Sequence, residues 1–503
     1  MQLYLDAAAT VLQPGNLLVT FIGVFLGVIV GALPGLTSTL GLALLIPATF
    51  TLDAIPGLLL LGGMYGGSIY GGSITAILIN IPGTPSSAAT CIDGYPMTKQ
   101  GRAGEALGIA VVASCFGGIF GTIVLLLAAP PLARVGLMFG PPEQFWVALF
   151  GVTVIISVAG DSFLKGLISG CIGLLLATVG SDIATGFPRF MFGQIELYEG
   201  IPLVPAIVGL FCVPEIVNSI NSRSRVKFDP SWGRVKNIVP SWSLLNSLKA
   251  TLLRSSIIGT IVGIIPGAGT PIAVFIAYGE AKRASRESER FGHGAVEGVA
   301  APEAANNAVE GGSLVPLLAL GIPGNAVSAI YLSALLVHGL TPGPDLFRLH
   351  ADIVYPVIFG LLTANLLMLF VGVILIKLTI NLLRVPNYVL NPVIIVFSVA
   401  GTYAMQNSFF DVGLMLGFGL LGIFMGKFGF SVIPLVLALI LGPIAENAFS
   451  QSVSMLDGNL LLFATRPICL VLIVLTLASA IFGCLREFRA RSRRNPILSG
   501  VPE

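Results

Sequence analysis

GVFLGVIVGALPGLTST, residues 23–39, decides how this chain folds: glycine at every fourth position of an apolar helix, then Pro34-Gly35, then three hydroxyls. Gly23, Gly27 and Gly31 share one helical face, and small residues on such a face let a second backbone approach closely in lipid. Pro34 removes a backbone donor and Gly35 permits angles that end a helix. In hydrocarbon an unpaired backbone group costs several kcal/mol, so such a break belongs inside protein or beside a polar cavity. Thr37, Ser38 and Thr39 then stand where a ligand would meet them. Alone, the stretch reads equally well as a helix-packing corner whose hydroxyls bond to carbonyls.

The composition agrees with a membrane setting. The 503 residues are 55% hydrophobic and only 10% charged, with a mean hydropathy of +0.95, whereas a soluble domain carries about 25% charged residues. Apolar runs near the ~20 residues of a spanning helix recur, and the alternating ~10-residue pieces of a β-barrel do not. An all-α polytopic membrane protein follows, with roughly 11–12 membrane segments, some broken or re-entrant. Net charge is +2, and no basic face with interleaved aromatics suggests nucleic acid. The six cysteines form no CxxC pair and the three histidines have no metal-ligand spacing, so no disulfide framework, metal site or cofactor is expected beyond a coupling ion. The first residues lack the basic and apolar regions of a cleaved signal peptide, so the first hydrophobic helix should be retained.

The same pattern occurs twice. LPG at 33–35 returns as IPG at 265–267, an offset of 232. GGS at 71–73 returns at 311–313, IPG at 81–83 returns at 322–324, and SVAG at 157–160 returns at 398–401, with offsets of 240, 241 and 241. Pro205 and Pro214 are echoed by Pro434 and Pro443 at an offset of 229. These matches, all in one order, predict two repeats at about 15–217 and 251–449. Between them the polar stretch 218–250, with Arg223, Arg225, Lys227, Arg234, Lys236 and Lys249, reads as a cytoplasmic linker, because Lys and Arg collect on that side. Residues 1–15 carry neither, so the first repeat starts outside and the second inside, an inverted-topology repeat.

Equivalent loops of inverted repeats must face opposite sides. Lys99 and Arg102 follow IPG in the first repeat, and the mixed DLFRLHAD of 345–352 follows it in the second. After the first break comes TLDAIP, 51–56, without a cation, and after its echo come Lys282, Arg283, Arg286 and Arg290. Helices near 353–376, 389–405, 411–427 and 430–447 crossing in turn place Lys377, Arg384 and Lys427 inside; Arg134 and Arg189 fall outside, against the rule. A last helix, 462–485, and a basic tail, 486–503, hold the C-terminus inside and leave the N-terminus outside.

Each repeat carries two Pro-Gly corners: Pro34-Gly35 and Pro82-Gly83, then Pro266-Gly267 and Pro323-Gly324. Small polar residues follow each: Thr37, Ser38 and Thr39; Thr84, Ser86 and Ser87; Gly269 and Thr270; Asn325 and Ser328. Half-helix N-termini at mid-membrane present free amides and about half a positive charge, a natural seat for an anion. No Arg or Lys stands at these corners, so a carboxylate would be held by amides and hydroxyls.

A second feature is EGVAAPEAANNAVEGGS, 297–313, where spacings of three, four and seven put Glu303, Asn306, Asn307 and Glu310 on one helical side. Acids inside a membrane segment are expensive and face an interior path or a partner. Oxygen-rich clusters suit Na⁺, and a desolvated carboxylate can instead carry a proton. The competing reading is a solvated extension of the 280–297 loop. The first repeat has GGMYGGSIYGGS, 62–73, at this place, so its glycines either seat another helix or expose carbonyls to a cation.

G-x3-G-x3-G-x2-P-G at 23–35, its echo GTIVGIIPGAGTP at 259–271, and APEAANNA at 301–308 with LALGIPG at 318–324 together resemble the tripartite tricarboxylate transporter family, in its large TctA-type membrane subunit. The resemblance spans about 15–485; Thr37 departs from it, standing where the family's motif commonly ends in another glycine. It implies a bacterial cytoplasmic-membrane permease working with a small four-helix membrane subunit and a periplasmic solute-binding protein. It further implies import of tri- and dicarboxylates or related organic anions with Na⁺ or H⁺, without ATP, by elevator-like alternating access. The chain has no GxxxxGK[ST] loop, in agreement. A channel or structural subunit is the alternative, although polar residues gather at the corners instead of lining whole helices. No triad or metal set accompanies the hydroxyls, so an enzyme is not expected.

Overall fold

Apolar runs interrupted by Pro-Gly set the helix ends. The computed structural model describes every residue except 1, 34–35, 159–161, 183–184, 222–237, 268, 383–386, 457–458, 460–462, 464 and 495–503. Pro34, Gly35, Arg384, most of the 218–250 linker with Arg223, Arg225, Lys227, Arg234 and Lys236, and the end of the basic tail therefore lie outside the described residues. The first half comprises α1 (Gln2–Val11), α2 (Pro14–Ala32), α3 (Ser38–Thr49), α4 (Ala54–Ile79), α5 (Ala88–Lys99), α6 (Ala103–Gly136), α7 (Pro141–Val158), α8 (Phe163–Ala177) and α9 (Leu203–Asn221). The second comprises α10 (Trp242–Ile264), α11 (Gly269–Ala284), α12 (Val296–Leu320), α13 (Ala326–Val337), α14 (Pro344–Leu349), α15 (Ala351–Leu382), α16 (Asn387–Gln406), α17 (Phe409–Lys427), α18 (Ile433–Met455) and α19 (Pro467–Arg494).

Among the described residues nine helices are long and apolar enough to cross a membrane. One antiparallel ribbon, β1 (Gly180–Ser181) against β2 (Pro188–Arg189), departs from the all-α expectation, so the fold is largely helical. The last helix starts at Pro467, where a proline suits the first helical position, and runs on through the basic stretch that was expected to be a tail. α2 ends at Ala32 and α3 starts at Ser38, and the corners at 82–83, 266–267 and 323–324 each separate two helices. α4 ends on Asn80 (φ 58°) and α12 on Gly321 (φ 75°), each a left-handed cap two residues ahead of its proline.

By packing, the chain divides into two compact units, Met1–Ala133 with Phe211–Ser408, and Arg134–Leu210 with Phe409–Glu503. In the first unit, α2 lies along α4 and α10 along α12. A Cβ on Gly23 or Gly31 would strike the Leu60 or Ser68 carbonyl, and one on Gly27 would stand 2.7 Å from Met64 O. Gly63 and Gly67 return the contact from α4: a Cβ on either would stand 2.7 or 2.6 Å from the carbonyl oxygen of Thr20 or Val24. The second pair repeats the device: a Cβ on Gly259 would strike the Ala305 carbonyl, and one on Gly263 would stand 2.8 Å from Val309 O. Gln100 Nε2 donates to His293 O at 2.8 Å, bringing the end of α5 against the α11–α12 loop. A Cβ on Gly57 would stand 2.8 Å from His338 Nε2, bringing the start of α4 against the end of α13.

The second unit is built on α7, α8, α18 and α19. Arg466 Nη1 donates to both oxygens of buried Glu143, at 3.0 and 3.1 Å, and Gly140 N donates to the same carboxylate at 2.8 Å. Arg189, a cation that the charge pattern set on the outer side, is neutralised locally by Glu446 at 2.6 Å and Asp182 at 3.2 Å. Chiefly through the Glu446 hydrogen bond, these carboxylates raise its guanidinium above the usual range.

Candidate functional site

The corners are held in pairs within the first unit. Gly83 N donates to Gly72 O at 3.2 Å, and a Cβ on Gly83 would strike the Gly31 carbonyl in the last turn of α2. Gly267 N donates to Gly324 O at 2.9 Å, and a Cβ on Gly324 would stand 2.5 Å from Gly263 O in the last turn of α10. The second corner thus closes on the helix that enters the first, and the fourth closes on the third. The two pairs also meet each other. α3, leaving the first corner, packs on α13, leaving the fourth; the 3-10 turn Pro85–Ser87, leaving the second, packs on α11, leaving the third. Tyr65 of α4 completes the link, since Asn325 Nδ2 donates to its hydroxyl at 2.9 Å and Ser313 Oγ lies 3.1 Å from it.

Several of the expected ligand groups already serve the helices they open. Thr37 Oγ1 accepts from Leu40 N at 3.2 Å and pairs with Thr39 Oγ1 at 2.7 Å. Asn325 and Ser328 form a reciprocal capping box, with bonds of 2.8 and 2.9 Å. Each cap takes one first-turn amide of α3 or α13, leaving the others outside the helical ladder. Thr84 Oγ1 lies 3.0 Å from both Ser86 Oγ and Ser87 Oγ, all three buried, while Pro82 is exposed. A hydroxyl has one donor and two acceptor positions, so these pairs retain hydrogen-bonding capacity. Gly267 and Gly269 turn through φ 77° and 74°, and Pro266 and Thr270 are half-buried beside them; Ser38 and Pro323 are buried.

Glu303, Asn306, Asn307 and Glu310 of α12 are all fully buried, so this part of the segment is no solvated loop extension. They are not equivalent. Glu303 is satisfied by the hydroxyls of Thr90 (α5) and Ser114 (α6), the latter at 3.0 Å. Neither carboxylate oxygen of Glu310 has a hydrogen-bond partner, nor has either side-chain polar atom of Asn306 or the Asn307 oxygen. Across from Glu310 lies Gly66 of α4, on which a Cβ would stand 3.0 Å from Glu310 Oε2. The glycines of 62–73 therefore seat α2 on one face and make room for the acid on another.

Three contributors escaped the sequence reading. Asp93 of α5 is fully buried, and its Oδ1 accepts from the amides of Gly292, Gly294 and Ala295 at 2.8–2.9 Å, capping the approach to α12 from another helix. Tyr278 Oη donates to its Oδ2 at 2.8 Å. Tyr65 and Asn365 are the others; a single amide in the apolar run of α15 was the available signal for Asn365.

Residues 17–437 match the family described as the tripartite tricarboxylate transporter TctA family. The chain belongs to that family. This TctA-family chain is 42% identical over 482 residues to an Agrobacterium vitis protein described as "Uncharacterized 52.8 kDa protein in TAR-I ttuC' 3'region", covering 96% of each. It is 36% identical over 233 residues, 46% of its own length and 96% of the relative's, to the "Uncharacterized protein in TAR-II ttuC' 3'region" of the same organism. No solved structure matches it. TctA-family proteins are membrane transport proteins and not enzymes.

Proposed function

We propose that this chain is the large permease subunit of a binding-protein-dependent secondary transporter that imports tri- or dicarboxylates or related organic anions. The convergence of corners without a single Lys or Arg carries the reading, because helix N-termini and hydroxyls then form the seat for a carboxylate. The seat would draw on Thr37, Ser38 and Thr39, on Thr84, Ser86 and Ser87, on Gly269 and Thr270, and on Asn325 and Ser328. The polar face of α12 would bind the coupling ion, Na⁺ or H⁺, whose charge offsets that of the anion. The partners would be a small four-helix membrane subunit and a periplasmic solute-binding protein.

The setting would be a bacterial cytoplasmic membrane, with the N-terminus outside and the C-terminus inside. An inverted repeat is supported by two contacts between non-equivalent loops: the end of α5 with the α11–α12 loop, and the start of α4 with the end of α13. Alternating access of the elevator type is the proposed movement. With both partners in proteoliposomes, radiolabelled tri- or dicarboxylate should accumulate under a Na⁺ or pH gradient. Uptake that persists with both gradients collapsed but requires ATP would overturn the proposal, and so would ohmic single-channel current.

A further inference from the structure

Burying a polar atom without a hydrogen bond costs on the order of 1–3 kcal/mol, more when it is charged. Native interiors therefore hold few such atoms, and a cluster of them calls for an explanation, a bound ion among them. Among the described residues, six such atoms belong to Glu310, Asn306, Asn307 and Asn365. Glu310 has two unbonded oxygens, Asn306 and Asn307 flank it one turn earlier on α12, and Asn365 of α15 lies beside it. Asn365 Nδ2 donates one of its two hydrogens to Leu361 O at 2.9 Å, and its Oδ1 has no hydrogen-bond partner. Asn307 Nδ2 reaches back to Glu303 O at 3.4 Å, leaving its Oδ1 in the same condition. Gly66 and Gly118 leave room for this group, since a Cβ on either would crowd Glu310 or Asn365.

We infer that Glu310, Asn306, Asn307 and Asn365 form one site for a monovalent hard cation, Na⁺ or its like, and that Glu303 stands outside the ligand set. A bound proton satisfies one acceptor and adds one donor, which leaves most of these amide oxygens unmatched. A divalent ion favours several carboxylates or retained water, and the second carboxylate here is already occupied by two hydroxyls. One negative charge among neutral amide oxygens matches one positive charge. Glu303 instead ties α12 to α5 and α6 and acts as a positioning residue. The coupling role of the ion rests on the transport reading above; the site itself does not.

The test is thermal unfolding of the purified full chain in detergent, titrated with NaCl against choline chloride at constant ionic strength. Na⁺ should raise the Tm of the unsubstituted protein. E310Q and N365A should weaken apparent Na⁺ affinity by about tenfold or more, equivalent to ~1.4 kcal/mol. N365D, which keeps an oxygen there, should retain the response and guards against N365A simply failing to fold. E303Q should lower the Tm without Na⁺ yet keep the Na⁺-dependent increment. A Na⁺ response absent from the unsubstituted protein, retained in E310Q or lost in E303Q alone would overturn the assignment. Organic-anion uptake driven by a pH gradient, with no Na⁺ response, would defeat this site and leave the transport reading intact. A Na⁺ response with no uptake of any organic anion would do the reverse.

Discussion

At the scale of single residues, glycine is used here for two different reasons. At Gly83 and Gly324 an added Cβ meets backbone, which cannot rotate away, so G324A should lower the Tm through overpacking worth about 1–3 kcal/mol. At Gly413 and Gly417 of α17 nothing lies within 4 Å, and G413A should be neutral or stabilising by up to about 1 kcal/mol, from helix propensity. Thermal unfolding of the two variants side by side checks the contrast; equal losses would show that backbone contact is not what the corner glycines protect. Asp93 holds three backbone amides of the loop before α12. D93A leaves three backbone amides without their acceptor and should cost about 3 kcal/mol, read as a lower Tm and faster proteolysis of the 285–295 loop.

At the scale of elements, the molecule relies on helix pairs whose backbones touch. Lipid tails are as apolar as leucine, so helices gain little by hiding apolar surface from them; close van der Waals contact between backbones provides the attraction instead. The seam of Gly23, Gly27 and Gly31 on α4 is such a contact, and G27V should sharply reduce the yield of folded protein, measured by monodisperse elution from a sizing column. Tyr65 links α4 to the fourth corner through Asn325 and Ser313. Y65F removes both bonds at a cost of about 1–2 kcal/mol. It should reduce uptake more than it reduces expression, because what it loosens is the corner and not the α2–α4 seam.

At the scale of the whole chain, the charge pattern and the loop contacts make one prediction together. Single cysteines replacing Gln100 and Arg290, in a cysteine-free background, should react with an impermeant thiol reagent from the same face of the membrane. Cysteines replacing Thr51 and His350 should react from the opposite face. Labelling of Gln100 and His350 positions from one side would refute the inverted arrangement.

The membrane class, the four interruptions, the duplicated pattern and the acidic helix were all legible in the sequence, because each is written in local terms: hydropathy, Pro-Gly, and spacing of three or four. The left-handed caps at Asn80 and Gly321, two residues before each proline, came from the structure and not from the sequence reading. Partnership was not legible. Glu303 and Glu310 are indistinguishable along the chain, and only packing decides that Thr90 and Ser114 reach one while the other faces Gly66 and Asn365. Asp93 looks like a stray acid until the fold brings the start of α12 onto it, residues 199 to 202 positions away. Hydrogen bonds of this reach depend on how helices from distant parts of the chain dock, and docking is a property of surfaces that no short stretch of sequence contains.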